Sequence, residues 1–356
     1  MTETSSSSFS HLSAGTTTTD VTQNTSEHTM TSSSSRGAEL YFQCAALVIG
    51  IVGTATNALI LYSMVASKQH KKHVLIFNQN VLDLVSCVLM IITYSLKISN
   101  IYVSGTIGYL LCALVLSESL ISSTLVGSVI NLAAITIERY LKIAHSAWSQ
   151  KHMRKWMTYT ATALSWLTGI ISNVVLVSSS YLSYGMEIPD SAVIGGACYG
   201  YATSENEKGS LIPVIGGFIF LYFNVLLIFT FCYWRILVTV RRQAAVMASH
   251  GTATGSSAGQ TQSQQIQSSV IKTMILVCVF YAISWLPNYL CIFLIQLSPN
   301  TPPDSAYYAS VFLVFLYTAT NPFIYVAKFD PVRKVLLGLF SWKKPPEQST
   351  QNVADT

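Results

Sequence analysis

Charge is what this chain has least of. Only 10% of its 356 residues are Asp, Glu, Lys or Arg, where a soluble domain carries about 25%. So little charge cannot hydrate a soluble fold of this length, and most of the chain must face lipid or other apolar helices. Residues 1–35 lack any apolar run; no cleavable signal peptide is expected, and the first apolar stretch serves as its own targeting signal. No sequence repeat relates one half of the chain to the other, which counts against transporters built from duplicated halves. No cysteine follows Cys291, so palmitoyl anchoring of the C-terminal segment is excluded.

What the chain does have is hydrophobicity in blocks, 51% of residues in all, with a mean hydropathy of +0.46. A membrane span needs about 20 apolar residues. Seven stretches qualify, near Tyr41–Ala66, Val74–Leu96, Ile107–Ile143, Trp156–Ser179, Leu211–Val240, Val270–Leu297 and Tyr307–Ala327. The third is longer than a bilayer needs, which predicts tilt or a protruding inner end. The expected fold is an all-α membrane protein, a seven-transmembrane helix bundle.

With the N-terminus outside, the outer segments hold only Arg36, Lys97 and Lys208, and the other 17 of the 20 basic residues lie inside. That asymmetry is a positive-inside signal. The acids Glu187, Asp190, Glu205, Glu207 and Asp304 fall outside. The net charge of +5 therefore reports topology beside anionic lipid, and nucleic-acid binding is not expected. The expected localisation is multi-pass in the plasma membrane with an extracellular N-terminus.

Residues 1–39 are crowded with Ser and Thr and read as a disordered extracellular tail. Its sequon Asn24-Thr25-Ser26 makes Asn24 a glycosylation candidate. Residues 40–328 form the membrane domain, within which Gln243–Ser269 reads as a flexible inner linker. Asp330-Pro331 supply an N-cap and a first-turn proline. Phe329, Val332, Leu336 and Phe340 then recur at helical spacing, so residues 329–340 read as a short amphipathic helix on the membrane surface. Residues 341–356 form a short cytoplasmic tail. Of seven cysteines, Cys44, Cys87, Cys232, Cys278 and Cys291 lie inside spans. Cys112 and Cys198 remain on the outer side, where an oxidising compartment favours a disulfide between them.

Polar and helix-breaking residues sit inside the apolar stretches at particular depths, where they are costly. The first span carries Asn57, the second Asn78 and Asp83, and the third ends on Glu138-Arg139-Tyr140. Trp166 stands in the fourth, Ser284-Trp285-Leu286-Pro287 in the sixth and Asn321-Pro322-Phe323-Ile324-Tyr325 in the seventh. In this order and at these depths, the set resembles the rhodopsin-like (class A) G-protein-coupled receptors over roughly residues 40–340.

The resemblance implies a receptor, not an enzyme, whose partner is a heterotrimeric G protein. It implies that Asp83, with Asn57, Ser128 and Asn321, lines a pocket holding sodium as an allosteric ion, and oxygen donors suit such a cation. Tyr317 stands where the family often has a smaller polar residue. Glu138, Arg139 and Tyr140 would form the coupling site, with Glu138 pairing locally to Arg139. Some family members hold this arginine with an acid at the inner end of span six. Here Gln267-Ser268-Ser269 offers none, which predicts basal signalling. Pro287 and Pro322 would act as hinges, with Trp285 as a lever beneath the ligand. Tyr233 and Tyr325 would swing inward together as span six moves out. Span five lacks its usual proline, Val225 standing there, and Tyr281 replaces a usual phenylalanine. Receptor kinases and arrestin are implied partners, with Ser341, Ser349, Thr350 and Thr356 as candidate phosphorylation sites.

Phe315 stands where opsins carry their retinal-binding lysine, which argues against a light receptor. For the position of the amine receptors' aspartate in span three, counting back from Arg139 gives Ile121 and counting forward from Cys112 gives Ser119. The counts disagree because this interval is longer than usual. Neither residue is acidic, but Glu118 is close and is a candidate counter-ion. Candidate ligand contacts are Glu118, Ser119, Ile121, Ser122, Trp285 and Phe315. The outer acids favour a basic or amidated, neuropeptide-like peptide, with a small molecule as the other possibility; no organic cofactor is expected. One rival reading is a transporter or channel with Asp83 on an ion or proton path, and another is an adhesion or scaffold protein. His70 and His73 have a metal-like spacing that their basic loop accounts for. Gly255-Ser256-Ser257-Ala258-Gly259 fits a nucleophile pattern but follows no expected strand, so no chemistry is assigned to it.

Overall fold

The computed structural model describes residues 19–99, 101–184, 192–194, 197–199, 215–250, 257–298 and 302–328, with 335, 337 and 338. Of these, residues 19–36, 173, 175–184, 192–194, 197–199, 244, 247–250, 257–274 and 323–328 are described by backbone only.

The chain is a seven-helix membrane bundle. Helix one spans Thr19–Ala66, helix two Val74–Ile98, helix three Gly105–Ala144 and helix four Lys155–Tyr184. Helix five, helical from residue 215, contains a π-helical turn, Phe218–Phe223, and continues as Asn224–His250. Helix six is Ser257–Leu297 and helix seven Asp304–Lys328. Among the described residues, Gly37–Ala66, Val74–Ile98, Gly105–Ala144, Ile215–Gln243 and Ile275–Leu297 are each long and apolar enough to cross a membrane. Large apolar side chains point outward around the bundle, among them Ile51, Ile92, Leu167, Phe220 and Ile283. A continuous apolar exterior of this kind is stable only against lipid.

Helix three is the central post, packed against helices two, four and five, while helix one packs on two and seven and helix six on seven. Glycine lets helices three and four approach. A Cβ on Gly169 would overlap the Ser123 carbonyl, and one on Gly127 would lie 3.0 Å from the Ser165 carbonyl. In lipid no hydrophobic force drives helices together, so this backbone-to-backbone packing carries much of the association. The Ser123 hydroxyl adds a hydrogen bond to the Gly169 carbonyl at 2.7 Å.

The structure differs from the sequence reading in several places. Helix one begins at Thr19, inside the expected disordered tail; extending an existing helix avoids the nucleation cost that a free Ser/Thr-rich segment faces. Helix five runs on to His250 and helix six starts at Ser257, so most of the expected linker Gln243–Ser269 is helical. Three short strands, absent from the all-α expectation, cap one end of the bundle: β1 (Tyr102–Ser104), β2 (Ala192–Ile194) and β3 (Ala197–Tyr199). They form an antiparallel sheet in that order, with Tyr102 opposite Ile194 and Val193 opposite Cys198. The pairing satisfies backbone groups that loops over an apolar surface would otherwise leave bare.

Helix three explains the conflicting residue counts. It contains a π-helical turn, Leu111–Leu116, and then breaks at Glu118, whose φ of 62° and ψ of 15° are left-handed. From Ser119 to Ala144 it is regular. The extra residues between Cys112 and Arg139 are thus absorbed before Ser119, and counting back from Arg139 is the valid register.

Of the expected surface helix at 329–340, residues 335, 337 and 338 are described, and all three are helical. The outer acids Glu187, Asp190, Glu205 and Glu207 and the tail sites Ser341, Ser349, Thr350 and Thr356 lie outside the described residues, as do the side chains of Asn24 and Tyr325.

Candidate functional site

Asp83 is fully buried at the centre of the bundle, and a relay of side chains from helix four fixes what it meets. The Trp166 indole donates to Asn78 Oδ1 at 2.9 Å. An indole N–H can only donate, so Asn78 must present its amide nitrogen onward, to Asn131 Oδ1 at 2.9 Å. Asn131 then donates to Gln79 Oε1 at 2.8 Å and to the Leu75 carbonyl at 2.9 Å. Gln79 is left with its NH2 facing Asp83, 3.3 and 3.4 Å from the two carboxylate oxygens, and it also donates to Ser128. Ser128 Oγ donates to Asp83 Oδ1 at 2.9 Å, and Asn321 Nδ2 donates to Oδ2 at 2.8 Å.

Of the four residues expected around the ion, the structure therefore brings Asp83, Ser128 and Asn321 together. Asn57 instead donates to the Gly53 carbonyl at 2.9 Å and lies 3.5 Å from the Thr318 carbonyl. The donor set fits a sodium ion poorly. Both Asp83 oxygens receive hydrogens, and the amide nitrogen of Gln79 stands beside the carboxylate where a cation would have to sit. Gln79, missed in the sequence, had a readable signal: it lies one helical turn before Asp83 on the same face.

At the Cys112 end, a cavity of about 310 Å³ is lined by Glu118, Ile121, Ser122, Trp285, Tyr289, Tyr307 and Phe315, among others. Five of the six expected ligand contacts are thus gathered on one cavity. Ser119 is the exception: its hydroxyl lies 2.8 Å from that of Ser117. A second cavity of about 260 Å³, lined by Phe42, Tyr94, Lys97, Tyr308 and others, shares Glu118, Tyr307 and Val311 with the first. Glu118 stands on the wall between them because the break in helix three turns it toward helix two. There its Oε1 accepts from Lys97 Nζ at 2.5 Å and from the Tyr94 hydroxyl at 2.7 Å. The candidate counter-ion already has a cation. The floor is aromatic: Trp285 lies 6.0 Å from Tyr289 and 5.9 Å from Tyr281, ring centre to ring centre, and its buried indole nitrogen has no partner among the described residues.

Helices five and six are joined by two crossed hydrogen bonds at the level of the missing proline. The Tyr281 hydroxyl donates to the Leu221 carbonyl at 2.6 Å, and the Tyr222 hydroxyl donates to the Ala282 carbonyl at 3.1 Å. Leu221 lies in the π-helical turn, whose widened hydrogen-bonding pattern alters the carbonyl spacing. Helix five thus has its irregularity without proline, and Tyr281 supplies the hydroxyl that a phenylalanine would lack. Tyr281→Phe should loosen this link by roughly 1 kcal/mol. Distance measurements between spin labels on helices five and six should then broaden, and an unchanged distribution would show that the bond does not hold the two helices.

At the opposite end, the expected pairing of Glu138 with Arg139 is not what forms. Glu138 pairs with Lys142, one turn along helix three, at 2.5 Å. Arg139 Nη2 lies 3.3 Å from Nδ1 of His73, and its buried Nε has no partner among the described residues. Burial first, and the neighbouring guanidinium second, hold His73 down at about 4 from an ordinary value of 6.5. The ring is therefore neutral at physiological pH and accepts from Arg139. The spacing of 66 residues between the two gave no sequence signal. Tyr140 bonds His145 at 3.0 Å, and Tyr233 is buried with its hydroxyl 3.4 Å from that of Thr136. Pro287 and Pro322 lie inside helices six and seven.

Cys112 is disulfide-bonded, while Cys44, Cys87, Cys232, Cys278 and Cys291 are free thiols. The remaining cysteine, Cys198, lies on β3, and its side chain is outside the described residues.

The pattern of the 7 transmembrane receptor (rhodopsin family) matches residues 56–325. The chain is 24% identical over 321 residues to melatonin receptor type 1A of Phodopus sungorus, covering 87% of this chain and 83% of that one. It is 26% identical over 327 residues to melanopsin-B of Gadus morhua, covering 87% of this chain and half of that longer protein. It is also 24% identical over 300 residues to somatostatin receptor type 5 of Rattus norvegicus, covering 81% and 74%. Among solved structures, squid rhodopsin superposes with a TM-score of 0.66 over 85% of each chain at 18% identity, a likeness of fold. With a seven-helix bundle, a cavity over Trp285 at one end and Arg139 at the other, the chain belongs to the rhodopsin family of seven-transmembrane receptors.

Proposed function

We propose that this receptor binds an extracellular ligand in the cavity above Trp285 and activates a heterotrimeric G protein by outward movement of helix six. The observation that carries the reading is Arg139, a guanidinium held by a loop histidine, with its buried Nε unpartnered among the described residues. Burying an unpaired donor costs about 1–3 kcal/mol. A static fold gains nothing from that cost, whereas a group waiting to be handed to a partner keeps it. Ligand binding then shifts an existing equilibrium by its differential affinity for the two positions of helix six.

The Cys112 end is placed outside the plasma membrane and the Arg139 end in the cytosol, on the distribution of basic residues. The disulfide of Cys112 is assigned to Cys198. Receptor kinases and arrestin act later on the C-terminal tail. The resting contact through a single histidine, with no acid at the inner end of helix six, supports measurable basal activity.

The relatives are named for two different ligands, melatonin and somatostatin, so the proposal for the ligand rests on the cavity. Its inserted part carries a positive charge for Glu118 and rests against Trp285, Tyr289 and Tyr307, whose ring faces attract cations. The basic end of a neuropeptide-like ligand, amidated or not, meets both conditions. A small aromatic amine uses the same contacts. Either must share Glu118 with Lys97.

Purified receptor in nanodiscs should accelerate nucleotide exchange on at least one heterotrimeric G protein. Exchange should rise further with a ligand from peptide and amine libraries, and ion flux should be absent in liposomes. Flux without exchange would install the transporter reading instead.

A further inference from the structure

A third cavity, of about 420 Å³, opens at the Arg139 end between the turn joining helices one and two, the last turns of helix three and the start of helix four. Its wall gathers five cations, Lys71, Lys72, Lys142, Arg154 and Lys155, against one carboxylate, Glu138. That carboxylate is already paired with Lys142. Lys71, Lys72, Arg154 and Lys155 form no ion pair among the described residues, and all four are exposed. Four unpaired cations around one concavity make a positive potential that attracts anions.

The location says which anions. Trp156 and Tyr159, on the first turns of helix four, are 62% and 58% exposed, and aromatic residues at helix ends mark the level of lipid headgroups. Farther along the same helix Leu164, Leu167 and Ile170 face outward, as lipid-facing residues do. The cavity thus lies at headgroup depth, on the side the basic residues assign to the cytosol. Tyr159 and Thr158 also line it, adding hydroxyls able to bond phosphate oxygens beside the charges.

We propose that this cavity binds a polyphosphorylated inositol headgroup. Scattered cations attract any anionic surface, but four unpaired cations converging on one pocket favour several phosphates on one ring. The assignment of this face to the cytosol rests on the topology given above; the binding site itself does not depend on G-protein coupling.

The test uses the full chain in nanodiscs with a photoactivatable phosphoinositide at a few percent, in a background of phosphatidylcholine or of phosphatidylserine matched for charge. The probe should label peptides from the helix one–two turn and the start of helix four, and phosphatidylserine should compete weakly. Changing Lys71 and Lys72 together, or Arg154 and Lys155 together, to Gln should weaken phosphoinositide binding about tenfold or more, given the attraction of each cation near a charged surface. Arg241→Gln with Arg242→Gln, at the end of helix five, should leave it within about twofold; all proteins are first checked for equal thermal unfolding. A soluble inositol phosphate that binds as tightly as the lipid would keep the site and move its source to the cytosol. Equal displacement by phosphatidylserine, equal loss in the helix-five control, or labelling only when a G protein is added would each overturn the proposal. The labelling of unaltered protein stands even if a variant fails to fold.

Discussion

Replacing Gln79 by alanine is expected to destabilise the receptor and make its stability depend on sodium. Gln79 donates to Asp83 and Ser128 and accepts from Asn131, all of them buried. Removing the amide takes one of three donors from the Asp83 carboxylate, which keeps Ser128 and Asn321, and leaves Asn131 without a side-chain acceptor, at a cost of about 3 kcal/mol. It also opens a space beside Asp83 and Ser128. The buried oxygens Asn57 Oδ1 and Asn321 Oδ1, unpartnered among the described residues, lie on the elements around that space. Oxygen atoms around a carboxylate suit a hard monovalent cation. Unaltered protein should melt at the same temperature in sodium and in choline chloride. Gln79→Ala should melt several degrees lower in choline, and sodium should recover part of the loss. Adding Asp83→Asn should remove that recovery. A sodium-specific rise in unaltered protein would show that Gln79 does not hold the ion's place.

Arg139 and His73 should move basal exchange in opposite directions. Arg139→Ala removes the group offered to the G protein, and exchange should fall to the rate without receptor. His73→Ala removes only the resting partner. A hydrogen bond to a charged group contributes about 1.5–3 kcal/mol; part of it is replaced by water here, so a rise of roughly fivefold to tenfold is expected. The Glu138–Lys142 pair, with Lys142 40% exposed, contributes little, and Lys142→Gln should change exchange by less than twofold.

Acid tests the same contact. His73 is held down at about 4 by burial and then by Arg139, with Lys142 and Lys72 lowering it further and Glu138 raising it. A histidine released to water titrates near its ordinary value of about 6.5. The resting contact is therefore fully stable above that value and weakens as pH falls from there toward 4, because the released state takes up the proton first. Basal exchange should rise relative to His73→Ala as the inner-face pH drops from about 7.5 to about 5.5. Parallel pH curves for the two proteins would assign the effect to the G protein.

Much of this was legible in the chain because lipid makes sequence unusually explicit. Each span must be a helix, since no other open structure satisfies its backbone there. Polar residues inside spans stand out against an apolar background, which is how Asp83, Asn321 and Arg139 could be named before any contact was known. Tyr281 and the absent proline at Val225 were also visible as departures, without the hydrogen bonds that give them a role.

What stayed hidden depended on side-chain direction and on partners far apart in the chain. Nothing in the local sequence says that Glu118 occupies a left-handed break and turns to Lys97, or that His73 meets Arg139 across 66 residues. Nor does it say that an indole on helix four sets the amide facing Asp83. Glu138 with Lys142, by contrast, is an i,i+4 pair that helix geometry made readable. Burial, span number and orientation follow from the solvent each residue type tolerates, and one chain read in order supplies them. Which acid meets which base follows from how helices rotate and where they bend. That is settled by packing among all seven at once, so here only the folded bundle could decide it.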